Sequence, residues 1–183
     1  MAKEPSRKTD LNPFRRPVFV ADAMLGKLTR WLRLLGAKVF FSESKNGDEA
    51  IKRAMKEKAV LLTRNEALAA KAGDYAQTML FKTNDSFQQL RTVMKKFGLK
   101  AESSPSFALC PKCGGKIKRI AKAKVKRKVF PRVFKQQKRF WECGQCKQIY
   151  WKGSHYARIG DRLKKLNNTL QNRNSCMKRL AAH

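Results

Sequence analysis

A chain of 183 residues with 42% hydrophobic content has room for one medium domain, or for a small domain plus a metal-stapled module. Its formal net charge of +30, from 43 Lys and Arg against 13 Asp and Glu, favours a polyanionic partner, with RNA or DNA the simplest candidate. No apolar run approaches the roughly 18 residues that a membrane span needs, and the polar stretch Met1–Arg16 has no apolar secretory core, so neither a membrane nor an exported protein is expected.

In chain order, residues 1–16 carry Lys3, Arg7, Lys8, Arg15 and Arg16 among Pro, Ser and Asn and read as a flexible basic arm. Residues 17–98 then alternate short apolar runs with helical periodicity. Pro17–Ala21 is a buried strand ending at Asp22, and a helix follows with Leu25, Leu28, Leu32 and Leu35 on one side and Lys27, Arg30 and Arg33 on another. Lys38–Phe41 is a second strand, and Gly47-Asp48-Glu49 opens a helix with acids in its first turn. Ala59–Leu62 is a third strand, followed by Thr63-Arg64-Asn65-Glu66 and a short helix to about Lys71. Gln77–Phe81 is a fourth strand, and Asp85 caps a last amphipathic helix closed by Gly98. Strands alternating with helices imply parallel pairing and right-handed crossovers, hence an α/β, doubly wound, mainly parallel sheet. Ligands of such sheets sit beyond the carboxyl ends of the strands, which directs attention to Asp22 and Asn65.

Residues 99–109 are a linker, and 110–159 carry the strongest local signal. Cys110-Pro-Lys-Cys113 and Cys143-Gly-Gln-Cys146 are two C-x-x-C pairs separated by 29 residues. Each pair is a knuckle presenting two sulfurs to one Zn²⁺, and four thiolates leave no open coordination position, so the zinc is structural and the segment a small zinc-ribbon β domain. Gly114-Gly115 and Gly144 suit the knuckle turns. Two disulfides or a redox pair are the alternatives; a reducing, cytoplasmic setting disfavours both. Residues 160–183 form a basic helical tail with Leu163, Leu166 and Leu170 at helical spacing, and Cys176 is left over as a plain thiol. From Cys110 onward there are 22 basic and 2 acidic residues, against 21 and 11 before it, so the charge is concentrated in the second part.

Between the cysteine pairs, Lys122, Lys124, Lys126, Arg127 and Lys128 are interleaved with Val125, Val129, Phe130, Val133 and Phe134, so that alternate residues could pack while others meet phosphate. Trp141, Tyr150, Trp151 and Tyr156 could stack on bases or fill the ribbon's small core; Trp141 reads as core, and Trp151 is a candidate RNA contact for which both readings stand. Lys27, Arg30, Arg33 and Arg64 are phosphate contacts or a solvated face, and His155 is a phosphate contact or a surface histidine.

Five segments in register carry a resemblance: Asp22 through Gly36, Leu61-Leu-Thr-Arg-Asn65, Cys110-Pro-Lys-Cys113-Gly-Gly, Phe140-Trp-Glu-Cys143 and Tyr150-Trp-Lys-Gly-Ser-His155. Together they resemble the Mut-seven C-terminal RNase domain family, a PIN-like fold with an appended zinc ribbon, over about residues 17–159. The resemblance implies a site at strand ends in which carboxylates hold Mg²⁺ or Mn²⁺ and activate water for phosphodiester hydrolysis. Asp22 matches the leading Asp, and Asp48, with Glu49 or Glu43 as substitutes, is the candidate second ligand. Asn65 stands where the pattern has Asp; an amide brings no charge and cannot act as a general base. Asp22, Asp48 and Asp85 are also readable as helix caps. Two functions follow: a divalent-metal-dependent endonuclease for single-stranded RNA, rRNA and tRNA among its candidate targets, or a catalytically weakened or inactive PIN-like RNA-binding protein riding on a ribosome or other RNP.

Overall fold

The computed structural model describes residues 17–44, 47–100 and 109–180, with side chains described up to residue 169. The basic arm, most of the linker, and the side chains of Leu170 and Cys176 therefore lie outside the described residues.

The first sheet has four parallel strands, β1 (Phe19–Ala21), β2 (Val39–Phe41), β3 (Val60–Thr63) and β4 (Thr78–Leu80), in the order β2-β1-β3-β4. Between them run α1 (Gly26–Leu34), α2 (Gly47–Glu57) and α3 (Glu66–Ala72), and α4 (Ser86–Phe97) follows β4. Phe19 stands opposite Val39 on one side and Val60 on the other, which fixes the register of the whole sheet. Because side chains alternate along a strand, Phe19, Ala21, Val60 and Leu62 enter one core while Val20 and Leu61 enter another. α1 and α4 cover the first face; α2 and α3 cover the second through Ala50, Ile51, Ala54 and Leu68. A sheet buried on both faces needs such continuous apolar strands, and β3 is buried at all four positions. The mixed α/β architecture with a parallel sheet agrees with the sequence expectation. α4 ends where Gly98 turns left-handed at φ 63°, a conformation that costs other residues strain.

The second sheet is antiparallel: β5 (Ile117–Ile120), β6 (Phe140–Cys143) and β7 (Ile149–Trp151), in that order. The basic segment between β5 and β6 is no extended ribbon but a short 3₁₀ turn, Lys122–Val125, and a helix, α5 (Pro131–Gln136). Its Val125 is fully buried, and Val129, Val133 and Phe134 pack on Phe140 and Ile149. Phe130, expected to pack with them, is 79% exposed.

The last helix, α6 (Ser154–Leu180), runs 27 residues, so the boundary drawn between ribbon and tail falls inside one continuous element. Its Leu163 and Leu166 are buried in the α1/α4 core of the parallel sheet, beside the partly buried Ile159. Among the described residues no helix is long and apolar enough to cross a membrane. Leu166→Ala should destabilise the parallel-sheet domain by about 2 kcal/mol, the low end for a buried leucine near an element's outer reach. Urea unfolding checks this; an unchanged midpoint would mean that α6 does not stay docked in solution.

Candidate metal centre and nucleic-acid interface

The four cysteines converge. The sulfurs of Cys110, Cys113, Cys143 and Cys146 all lie within 4.8 Å of one another, with Cys113–Cys143 at 3.4 Å and Cys110–Cys146 at 3.6 Å. Tetrahedral thiolates around one zinc sit about 3.8 Å apart, so the cluster has the right span for a metal ion and is far too open for disulfides. All four cysteines are free. Gly114 takes φ 81° in the first knuckle, and the Gly115 N–H donates to Cys113 Sγ at 3.4 Å. A Cβ at Gly115 would stand 3.0 Å from Cys143 Sγ, which explains the glycine by close approach. In the second knuckle the left-handed residue is Lys147, at φ 57°, and not Gly144.

The electrostatics favour a cation. Burial pushes the Cys113 thiol up, but the Gly115 N–H and the neighbouring cysteines outweigh it and bring the thiol down to about 7. Burial, with the neighbouring thiols opposing ionisation, pushes Cys146 up to about 12, and burial raises Cys143 as well. One sulfur ionises easily and its neighbours then resist, so four thiolates in so small a volume need a metal charge among them. The Tyr150 hydroxyl stands 3.0 Å from Cys110 Sγ, and burial followed by that contact raises its pKa.

The carboxylate edge is built differently. Asp22 is buried at 7% exposure and caps the Ala23–Leu25 turn, its Oδ1 accepting from Met24 N at 2.9 Å. Its Oδ2 accepts from the Thr63 hydroxyl and from Arg64 N at 3.3 Å, lacing the ends of β1 and β3 together. Thr63 Oγ1 in turn accepts from Asn65 N at 2.9 Å, and Asn65 Oδ1 accepts from Leu68 N at 3.1 Å as the cap of α3. Asp48 forms a 2.5 Å ion pair with Lys71 of α3. Asp85 caps α4 by accepting from Phe87 N at 2.8 Å. Among the described residues, the four cysteines are the only group of three or more Cys, His, Asp or Glu side chains that could hold a metal. Asp22, Asp48 and Asp85 thus each serve as a cap, a strand tie or an ion-pair partner, and with Glu43 and Glu49 they form no group of three that could hold a metal among the described residues.

What does assemble at the strand ends is a basic cleft of about 500 Å³, lined by Met24, Lys27, Arg30, Arg64, Asn84 and Ser86 among others. Lys27 and Arg30, three apart on α1, share a side of the helix, and Arg64 meets them from the end of β3. Arg64 Nε is buried without a hydrogen-bond partner. No acid lines the cleft. It sits beside the point where the crossovers leave β1 and β3 in opposite directions, as expected for a ligand site of an open parallel sheet. Asn84 and Ser86 carried no distinguishing pattern; only the topology brings them here.

Arg33 departs from its expected place. It is 5% exposed and turned inward, donating to Val39 O at 3.0 Å and to Lys112 O at 2.9 Å. Burial lowers its pKa, opposed by Cys113 and Cys110. The guanidinium therefore ties α1 and β2 to the first cysteine knuckle, and its donors are not offered to a phosphate. Lys122 lies 4.8 Å over the Phe134 ring, and Lys128 pairs with Glu142 at 2.9 Å. Lys124, Lys126 and Arg127 are exposed. Trp151 is partly buried and packs on the ribbon core beside Phe140, at 6.5 Å between rings. Trp141 lies on the other face of β6, opposite Arg119 and Tyr150. His155 is exposed in the first turn of α6.

A family model described as the Mut7-C RNAse domain matches residues 17–163, spanning both sheets and the start of α6. No curated protein and no solved structure gives a significant match.

Proposed function

Because the chain belongs to the Mut7-C RNAse domain family, we propose that it is a zinc-stapled, PIN-like RNA-binding protein whose metal-dependent cleavage is weakened or lost. The observation that carries this reading is the pairing at the strand ends of a cleft lined by Lys27, Arg30 and Arg64 with acids already engaged elsewhere. Three cations around a cavity of this size suit the phosphates of one or two nucleotides, and phosphate contacts give affinity without sequence choice. Exposed Lys124, Lys126 and Arg127 on the ribbon add further positive charge for a polyanion. Zn²⁺ in the four-cysteine site would supply no chemistry to RNA; it would fix the ribbon so that these side chains are presented together. A net charge of +30 suits insertion among the phosphates of a ribosome or other RNP in the cytoplasm. The domain limits in this reading are 17–98 for the PIN-like part and 110–159 for the ribbon.

A second reading, a divalent-metal-dependent endonuclease, draws on the family's RNase character and on Asp22 at the end of β1. The deciding experiment is cleavage of mixed single-stranded RNA with Mn²⁺ by wild type, Asp22→Asn and Asn65→Asp. The binding reading expects an inert wild type whose RNA affinity does not depend on added Mg²⁺ or Mn²⁺ and falls steeply with salt. Cleavage by the wild type that Asp22→Asn removes would establish the enzyme instead. Revival by Asn65→Asp alone would locate the loss of catalysis at that position.

A further inference from the structure

The exposed ring of Phe130 stands apart from every other aromatic in the ribbon. Residues 116–139 contain twelve Lys and Arg and no Asp or Glu. Within them the apolar side chains of Val125, Val129, Val133 and Phe134 all pack toward Phe140 and Ile149. Phe130 alone turns outward, 79% exposed, the most exposed large apolar side chain among the described residues. Its backbone is held: it is the N-cap of α5 at φ −59° and ψ 143°, Pro131 follows with its own φ fixed, and its carbonyl accepts from Phe134 N at 3.0 Å. Exposed Lys126, Arg127 and Arg132 flank it in sequence.

Single exposed apolar residues are ordinary and by themselves need no explanation. An outward ring on a hydrogen-bonded backbone position, within an acid-free and densely cationic segment, is a different arrangement. The cations draw a phosphate backbone over the ring, and a strand with unpaired bases can then bury the ring against a base. A duplex offers no free base face. A protein partner would need acidic side chains to meet these cations and a pocket for one isolated ring. A lipid surface would gain little from a single ring with no apolar neighbour beside it.

We propose that Phe130 is the base-stacking residue of the ribbon: it stacks on one unpaired nucleobase while Lys126, Arg127 and Arg132 hold the flanking phosphates, so the ribbon selects single-stranded over duplex RNA. This rests on the RNA-binding reading above and adds to it the recognition of strand state. Trp151, partly buried against Phe140, offers less free ring face than Phe130.

The test uses the full zinc-loaded chain and a fluorescent 16-nucleotide RNA, single-stranded or annealed to its complement, with 2-aminopurine at one internal position in a parallel sample. Phe130→Ala should weaken single-strand binding about 10-fold, leave duplex binding and the salt slope unchanged, and abolish the 2-aminopurine quench; Phe130→Trp should keep both affinity and quench. Arg127→Ala should instead reduce the salt slope and weaken both RNAs alike. Unchanged single-strand affinity in Phe130→Ala overturns the stacking role while leaving RNA binding intact. Equal loss on duplex overturns strand selection. A Phe130→Ala defect seen only on phosphatidylserine vesicles would assign the ring to a lipid surface. A wild type that binds neither RNA at low salt defeats the RNA reading itself, which the variant comparison cannot do.

Discussion

Cys143→Ser is expected to remove the ordered ribbon and its metal while leaving the parallel sheet folded. The ribbon's fully sequestered apolar set is small, Val125, Phe140 and Ile149, with the remaining contacts partly exposed. A module of this size does not bury enough surface to fold on apolar contacts alone, and metal binding then supplies most of its folding free energy, on the order of 10 kcal/mol in small zinc modules. Cys143 is itself fully buried and lies at the end of β6, so its loss removes a ligand and a strand terminus together. Metal analysis should give one zinc per wild-type chain and none in the variant, and hydrogen exchange should show β5–β7 unprotected with β1 and β3 still protected. A well-folded wild type without zinc would remove the basis for this expectation.

Zinc held by these four thiols would be retained in a pH-dependent way. Each sulfur must lose a proton to bind, and the ordinary thiol value of 9.0 means that protons compete with the metal throughout the neutral range. Cys113, brought down to about 7, competes least above that pH and adds its own proton below it. Zinc affinity should therefore fall as pH is lowered, and more steeply below about 7. Competition with a chromophoric chelator across about pH 6 to 8 measures this slope; a flat profile would argue against thiolate ligation.

Much of this was legible from the chain because parallel strands and amphipathic helices leave opposite periodic signatures. The apolar run Ala59–Leu62 reads as a strand and lies almost wholly within β3 (Val60–Thr63), and the spacing of the cysteines points to one cluster that could hold a metal. What periodicity could not supply is the identity of the covering element. Leu163 and Leu166 announced an apolar stripe, but only the tertiary structure shows that it closes the α1/α4 face. Trp151 packs partly against Phe140 in the ribbon, while Trp141 lies on the other face of β6, a division that depends on strand pairing. Phe130 was grouped with its apolar neighbours because composition does not say which way a turn points. The site residues divided by the same logic: Lys27, Arg30 and Arg64 are brought together by strand ends, which the alternation implied. The lacing of Asp22 to Thr63 depends on β1 and β3 being neighbours, a matter of strand order that sequence does not fix.

Arg33 illustrates why a basic stripe misleads, and its replacement should have the second-largest effect. Successive residues on a helix turn by about 100°, so three-residue steps drift backward by about 60° each, and Arg33 lies about 120° round α1 from Lys27. That drift takes it out of the cleft and into contact with Val39 O, Lys112 O and, at 3.4 Å, Pro111 O. Arg33→Ala would strand these carbonyls and open a void between α1 and the knuckle, costing about 3 kcal/mol. Lysine should not rescue it, since a single ammonium lacks the planar fork that reaches β2 and the knuckle at once. Urea unfolding should show the loss in the parallel-sheet domain, and zinc should leave the variant faster, because the strut supports the backbone of Pro111 and Lys112. Lys27→Ala and Arg30→Ala should behave oppositely, with unchanged stability and a salt slope for single-stranded RNA reduced by about 0.7 each. If Arg33→Ala kept wild-type stability and zinc but lost salt slope, its guanidinium would have to reach phosphate in solution. The strut and the phosphate contact are thus separable, because a buried donor set cannot be withdrawn from its carbonyls without exposing their cost.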